Sequence, residues 1–247
     1  MHTENENIES DEFKNLSSKI NWLEQSIFTT PIGKTVQNKH VEFILSRKKE
    51  KTPAELYISE IHDAMGNIVQ SFDDIKLTIK LIEFAHPKIK SFKMTRVDRG
   101  NYLKYHYENY IFRLPKIKDQ VLQLLNVAYQ MGHTQSPGLE KKVRKHPKVH
   151  ENKSIYLDYL DHAFSTIKPY RDIIAHRADL VTSDFAMLTS FQLVEYDKNV
   201  YEDLLKMKVS MTYVMTKNLG AIKQAIIILL MSLGDEFNSI LESLSDG

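Results

Sequence analysis

An all-α fold, an antiparallel bundle of long helices with an N-terminal extension, is the architecture this sequence predicts. Two observations carry that expectation. The 247 residues include only 8 Gly and 7 Pro, too few chain-breaking residues for a loop-rich or all-β protein. Leu, Ile, Lys, Glu and Met, which keep most of their rotamer freedom in a helix, are abundant. Apolar residues also recur at three- and four-residue steps over several long stretches, the period of a helix that buries one face.

Residues 1–12 carry five acids and no Lys or Arg, and read as a disordered acidic tail. Residues 13–52 form the extension. Within it Leu16, Ile20, Leu23 and Ile27 mark a short helix, which the Thr29, Thr30, Pro31 and Gly33 cluster ends. Val41, Phe43 and Leu45 alternate and permit a short strand.

The bundle is expected over residues 53–247. Thr52 is a natural N-cap, Pro53 fits the first helical position, and Glu55 completes a capping box. Leu56, Ile61, Met65, Ile68, Phe72, Ile75, Ile79 and Ile82 then mark one inward face as far as His86 and Pro87. A second long helix over residues 101–130 turns Leu103, Tyr107, Tyr110, Leu114, Val121, Leu125 and Ala128 inward. Pro115 lies inside it and Gly132 follows its end. A polar link separates it from a helix capped by Ser154, carrying Leu157, Leu160, Phe164 and Ile167. Pro169 restarts the chain in a short helix. A final helical region runs from Tyr201 to Leu244, with Gly220 as a point of interruption.

The absence of Cys excludes disulfides, thiolate metal sites and cysteine nucleophiles. The acidic N-terminus is unlike a secretory leader, and the most apolar run, nine residues from Ala225, is short for a membrane span. A cytoplasmic protein with no membrane association is expected. The net charge of +1 is unevenly spread. Nine acids and no Lys or Arg fall in residues 1–12 and 234–247, which leaves +10 on residues 13–233. A basic body suits a polyanionic partner.

The residues that carry chemistry are Arg171, Asp172 and His176 in KPYRDIIAHRADL. A bare Arg followed by His at this spacing arises by chance about once in a chain of this composition, and three segments fit: Arg99 with His106, Arg144 with His150, and Arg171 with His176. Context separates them. Arg144 and His150 flank Pro147 in the polar link, where the reading is a solvated basic loop. His106 lies among Tyr102, Tyr105 and Tyr107, where packing is its simplest role. Arg171 instead follows Pro169 at a helix start, where free amides and the helix dipole favour a phosphate. Asp172 precedes His176 by one turn and can orient the imidazole.

This segment resembles the signature of the HEPN superfamily, Arg, four to six residues, then His, often with an acidic or amide residue after the Arg. The order of helices over residues 53–247 is similar too, closest to larger HEPN families of bacterial defence and stress systems. The resemblance implies a metal-independent ribonuclease in which Arg171 holds the scissile phosphate, His176 moves protons and Asp172 orients it. It implies a homodimer in which two motifs meet, and RNA as substrate, with an antitoxin or other protein as a further partner. HEPN toxins regulated by nucleotidylation often carry Tyr two residues after the His. Here that residue is Ala178, which argues against regulation at this position.

Beyond the motif, Lys141, Lys142, Arg144, Lys145, Lys148 and Lys153 form a basic link able to follow a nucleic-acid backbone, and Arg177 adds a cation beside His176. Lys88, Lys90, Lys93, Arg96, Arg99 and Lys104 form another basic run. Tyr102, Tyr105, Tyr107 and Tyr110 are candidates for stacking on bases, or for core. No metal or cofactor is expected: the histidines are scattered, HExxH is absent, and no Gly-rich phosphate loop occurs. Asp158, Asp161 and His162 sit close together but read as an exposed acidic face. The competing reading is a catalytically inactive helical module that binds RNA or a protein.

Overall fold

The computed structural model describes residues 27–46, 50–84, 99–165, 167–169, 172 and 198–246. The acidic tail, residues 13–26 and Lys88 to Arg96 lie outside them. Among the described residues the helices are α1 Pro31–Ser46, α2 Pro53–Phe84, α3 Arg99–Ala128, α4 Leu139–Lys145, α5 Pro147–Asn152, α6 Ser154–Ser165, α7 Lys198–Ser232 and α8 Gly234–Ser245. No strand occurs among the described residues, and the fold is all-α.

The Thr29–Gly33 cluster proves to be a start as well as a stop. The Thr30 hydroxyl accepts the Gly33 amide at 3.1 Å and donates to the Ile27 carbonyl at 2.7 Å. Pro31 then occupies the first position of α1, where its missing N–H costs nothing. Val41, Phe43 and Leu45 are helical, so the permitted strand is not formed. Their alternation is too short to outweigh a capped helix. Gly33 is buried, and a Cβ there would lie 2.4 Å from the Ile27 carbonyl oxygen and 2.6 Å from the Phe28 Cα. Gly220, inside α7, has nothing within 4 Å of a Cβ. The two glycines therefore answer oppositely to alanine. Gly33→Ala lowers the melting temperature because backbone must move, whereas Gly220→Ala stabilises by about 0.5–1 kcal/mol through helix propensity. Thermal unfolding of the two variants checks both signs.

The start of α2 forms as its sequence predicts. The Thr52 amide donates to Glu55 Oε2 at 2.9 Å and the Glu55 amide to Thr52 Oγ1 at 3.2 Å, a reciprocal capping box. Its inward face begins one residue later than expected. Leu56 is 49% exposed, while Tyr57 and Ile58 are buried ahead of Ile61, Met65 and Ile68. Helix α3 runs through Pro115, which cannot donate to the carbonyl one turn back. It ends where Gln130 and Gly132 take φ of 50° and 66°, and the Asn126 side chain clamps the backbone of His133 through two hydrogen bonds.

The polar link is not a loop. Residues 139–152 fold into α4 and α5, separated by extended His146 and restarted by Pro147. Ser154 does not cap α6; its hydroxyl donates back to the His150 carbonyl at 3.1 Å. Gly220 does not interrupt α7, and the break falls instead at Leu233, ahead of Gly234.

Contacts gather in two compact units whose boundaries fall within helices. The first comprises Met1–Gln70, Lys118–Leu160 and Gly220–Gly247, the second Ser71–Ile117 and Asp161–Leu219. In the first, Tyr57 near the start of α2 donates to the carbonyl of Ala128, the last residue of α3, at 2.9 Å, as antiparallel neighbours do. Its core includes Ile61, Met65, Ile68, Leu125, Ile226, Leu229 and Phe237. In the second, the Lys208 ammonium in the first half of α7 donates to the carbonyl of Glu83 in the last turn of α2 at 3.2 Å, again an antiparallel pairing. Arg113 binds Asp74 at 2.5 Å, and Ile75, Ile79, Ile82, Leu103, Ile111, Leu114 and Leu219 are buried.

From Leu205 to Ser232, α7 is long and apolar enough to cross a membrane, with a mean hydropathy of 1.4 in its most apolar window. The nine-residue run understates it. The same composition serves a core helix: Met215, Leu219, Ile222, Ile226, Leu229 and Leu230 are buried, and so are Lys208 and Lys223.

Burial also pushes the Glu83 carboxyl up to about 7, against the pull of Lys208 and Lys80. The folded chain then holds a proton that the unfolded chain releases near 4.5, so stability falls as pH rises between those values. Glu83→Gln should flatten that slope in melting temperatures taken across the range.

Candidate functional site

The approach to the motif is helical. Ile167 is 6% exposed and anchors the chain, while Lys168, Pro169 and Asp172 are helical and exposed. Pro at the first turn gives up no hydrogen bond, which is why the chain restarts there. Arg171, His176 and Arg177 lie outside the described residues. In the sequence Asp172 directly follows Arg171 and precedes His176 by four positions.

In the other two Arg-to-His segments, Arg144 and His106 are engaged by neighbouring side chains. Arg144 sits in α4 and its guanidinium divides between Glu140, at 2.8 Å, and Asp158, at 2.7 Å. Lys118 also reaches Glu140 at 2.8 Å. Partial burial raises the Glu140 carboxyl, but hydrogen bonds from Lys118 and Arg144 outweigh that and hold it below its ordinary range. Arg144 thus ties α4 to α6 rather than standing in a solvated loop. His106 is 8% exposed, its ring edge-on to Tyr102 at 4.4 Å and Tyr105 at 5.1 Å. Burial lowers its pKa, which favours the neutral imidazole.

Of the proposed backbone-following lysines, Lys141, Lys142, Lys145 and Lys148 are exposed, whereas Leu139, Val143 and Val149 turn inward. The helical period of α4 and α5 is what collects these ammonium groups on the outer side. Lys153 does not belong with them. It is 5% exposed, and its ammonium donates to the Ser232 carbonyl at 2.6 Å with Glu236 at 3.7 Å. Of the four tyrosines, Tyr110 is core and donates to the Met215 carbonyl at 3.5 Å, while Tyr105 is 61% exposed. Only the latter of those two offers a ring face to a base.

Among the described residues no group of three or more His, Asp or Glu is placed to hold a metal ion. Asp158 is engaged by Arg144, which removes it from the Asp158, Asp161 and His162 cluster. What these residues offer is cationic and hydrogen-bonding chemistry: an exposed lysine face in the first unit and, in the second, a helix start followed by Arg, Asp and His. Both suit phosphate better than a neutral ligand.

The family model described as HEPN_Cthe2314-like HEPN matches residues 57–237, a span from the first turns of α2 into α8 that contains the motif. No curated protein and no solved structure matches the chain.

Proposed function

The chain belongs to the HEPN_Cthe2314-like HEPN family, and from that premise we propose that it is a metal-independent endoribonuclease acting through Arg171, Asp172 and His176. The observation that carries this reading is the Arg-to-His segment itself, lying inside the matched span with a carboxylate one turn before the imidazole. In the reaction, the RNA 2′-oxygen bonds to the adjacent phosphorus and the bond to the 5′-oxygen breaks. One proton leaves the 2′-hydroxyl and one reaches the departing 5′-oxygen. The products are a 2′,3′-cyclic phosphate and a 5′-hydroxyl.

His176 moves those protons, and an imidazole with an ordinary pKa of about 6.5 can serve in either direction near neutrality. Arg171 holds the phosphate and offsets charge building on its oxygens, a bidentate task for a planar guanidinium. Asp172 fixes the imidazole's orientation. One imidazole cannot easily be acid and base in the same turnover, so we infer a homodimer in which two motifs share one cleft. Lys141, Lys142, Lys145 and Arg177 supply contacts to the RNA backbone, while Arg144, held by its carboxylates, contributes through the fold. A cytoplasmic toxin or defence effector fits this activity.

The exposed lysines of α4 and α5 favour a second reading, an inactive module that binds RNA without turnover. One experiment separates them. The full chain is titrated with single-stranded RNA over a range of salt, and the RNA is then recovered and sized. Shortened RNA supports the nuclease, and intact RNA with salt-sensitive binding supports the module. In either case changing Lys141, Lys142, Lys145 and Lys148 to Gln should flatten the dependence of log affinity on log salt, by about 0.7 for each RNA phosphate that a lysine no longer neutralises.

A further inference from the structure

Two imidazoles outside the candidate site are stacked on one another. His40 of α1 and His62 of α2 lie with ring centroids 3.8 Å apart and planes within 5°. The Nδ1 atoms of both are buried and accept no hydrogen bond. Phe28 closes against His62 at 5.7 Å, so the pair sits where α1 seats on α2. None of these residues belongs to the Arg-to-His segment, and His40 lies before the span that the family model matches.

We propose that this pair makes the seating of α1 on α2 pH-dependent, holding it while the two rings share at most one proton and loosening it when a second arrives. A neutral imidazole stacks on a neutral or a charged one without penalty. Two imidazolium rings in contact repel, and a proton added at the buried His40 Nδ1 is an N–H with no acceptor in place. The surrounding charges make the two rings unequal. Asp63 Oδ1 stands 3.6 Å from His62 Nδ1, a negative charge on the α2 side of the pair. Lys51, whose ammonium donates to Ser59 at 2.8 Å and lies 4.9 Å over the Phe43 ring, adds a positive charge ahead of α2. On α1, Lys39 and Glu42 lie beside His40 in the sequence and line the groove between α1, α2 and α8.

Burial, then the neighbouring His62, lowers the His40 pKa. The sign follows: a group harder to protonate in the folded chain stabilises it fully above the ordinary value near 6.5, and that contribution is lost as pH falls below it. Glu83 acts in the opposite direction, so a melting temperature of the whole chain mixes the two effects and a local reading is needed.

The test is amide exchange of the full chain, followed by mass spectrometry at about pH 7.5 and about pH 5, with rates divided by the intrinsic rate at each pH. In the wild type, peptides from residues 31–46 should lose protection by ~10-fold at the lower pH, while peptides from α3 keep theirs. His40→Phe, which stacks but does not titrate, should keep α1 protected at both. Equal protection of wild-type α1 at both pH values, or the same loss in His40→Phe, would overturn the proposal. Should the variant fail to fold, the wild type decides through the NMR titration of its imidazoles. Two separated transitions, His40 the lower, support the latch; two independent transitions at the ordinary value refute it.

Discussion

Replacing His176 with Ala should reduce RNA cleavage by ~10²–10⁴-fold, the usual contribution of a positioned general acid or base. It is the one imidazole in the segment, and the guanidinium groups of Arg171 and Arg177 do not release protons near neutrality. Arg171→Ala should cost ~10²–10³-fold, the range seen when one preorganised donor to a developing oxyanion is removed. Arg171→Lys should recover only part of that, because an ammonium cannot form the paired hydrogen bonds of a guanidinium. Asp172→Asn should slow cleavage less than either and move its pH profile, as expected of a residue that acts through the imidazole. All four variants should keep the helical circular dichroism of the parent, since Asp172 is exposed and none of the changed positions falls in α2, α3 or α7. Undiminished cleavage by His176→Ala would remove the proposed chemistry.

The largest expected loss of stability comes from a lysine that contacts no RNA. Lys153 joins α5 to α6 with its ammonium against the carbonyl of Ser232, in the final turn of α7, and beside Glu236 in the first turn of α8. Carbonyls at a helix end lack partners within the helix, and the dipole there favours a cation. Lys153→Ala leaves that carbonyl and part of the Glu236 charge uncompensated, and empties the volume of the side chain. A cost of about 2–3 kcal/mol is expected, below the full value for a buried pair because Glu236 is partly exposed. For a chain of this length that is a fall of roughly 4–12 °C in melting temperature. Lys153→Met keeps the volume and isolates the charge. Lys141→Ala, on the exposed side of α4, should stay within about 0.5 kcal/mol of the parent. Equal melting temperatures for Lys153→Ala and Lys141→Ala would contradict the inward role of Lys153.

That contrast shows where the sequence is legible. The capping box at Thr52 and Glu55 and the long apolar faces of α2 and α3 can be read because each rests on many residues or on a reciprocal pair of hydrogen bonds. Helices α4 and α5 cannot. They have 7 and 6 residues, and Leu139, Val143 and Val149 are too few to establish a period against a lysine-rich background. Lys153 reads like its neighbours because charge is visible in a sequence while the direction of an ammonium is not. The same holds for Arg144, whose partners Glu140 and Asp158 stand 4 and 14 residues away. Gly220 carries a warning of a break that comes instead at Leu233, since a glycine in a well-packed helix costs less than the burial of Met215, Leu219 and Ile222 returns. For the site, the helix start at Lys168 and Pro169 follows from local rules. The distance between the Arg171 and His176 side chains depends on tertiary packing, which spacing alone does not fix.

The most direct measurement is of the RNA ends themselves. Wild-type chain and His176→Ala are incubated with a defined RNA in excess EDTA, and the fragments are analysed by mass. The account predicts 2′,3′-cyclic phosphate and 5′-hydroxyl ends from the wild type and intact RNA from the variant. Fragments bearing 5′-phosphates and 3′-hydroxyls, or the same cleavage by both chains, would contradict it.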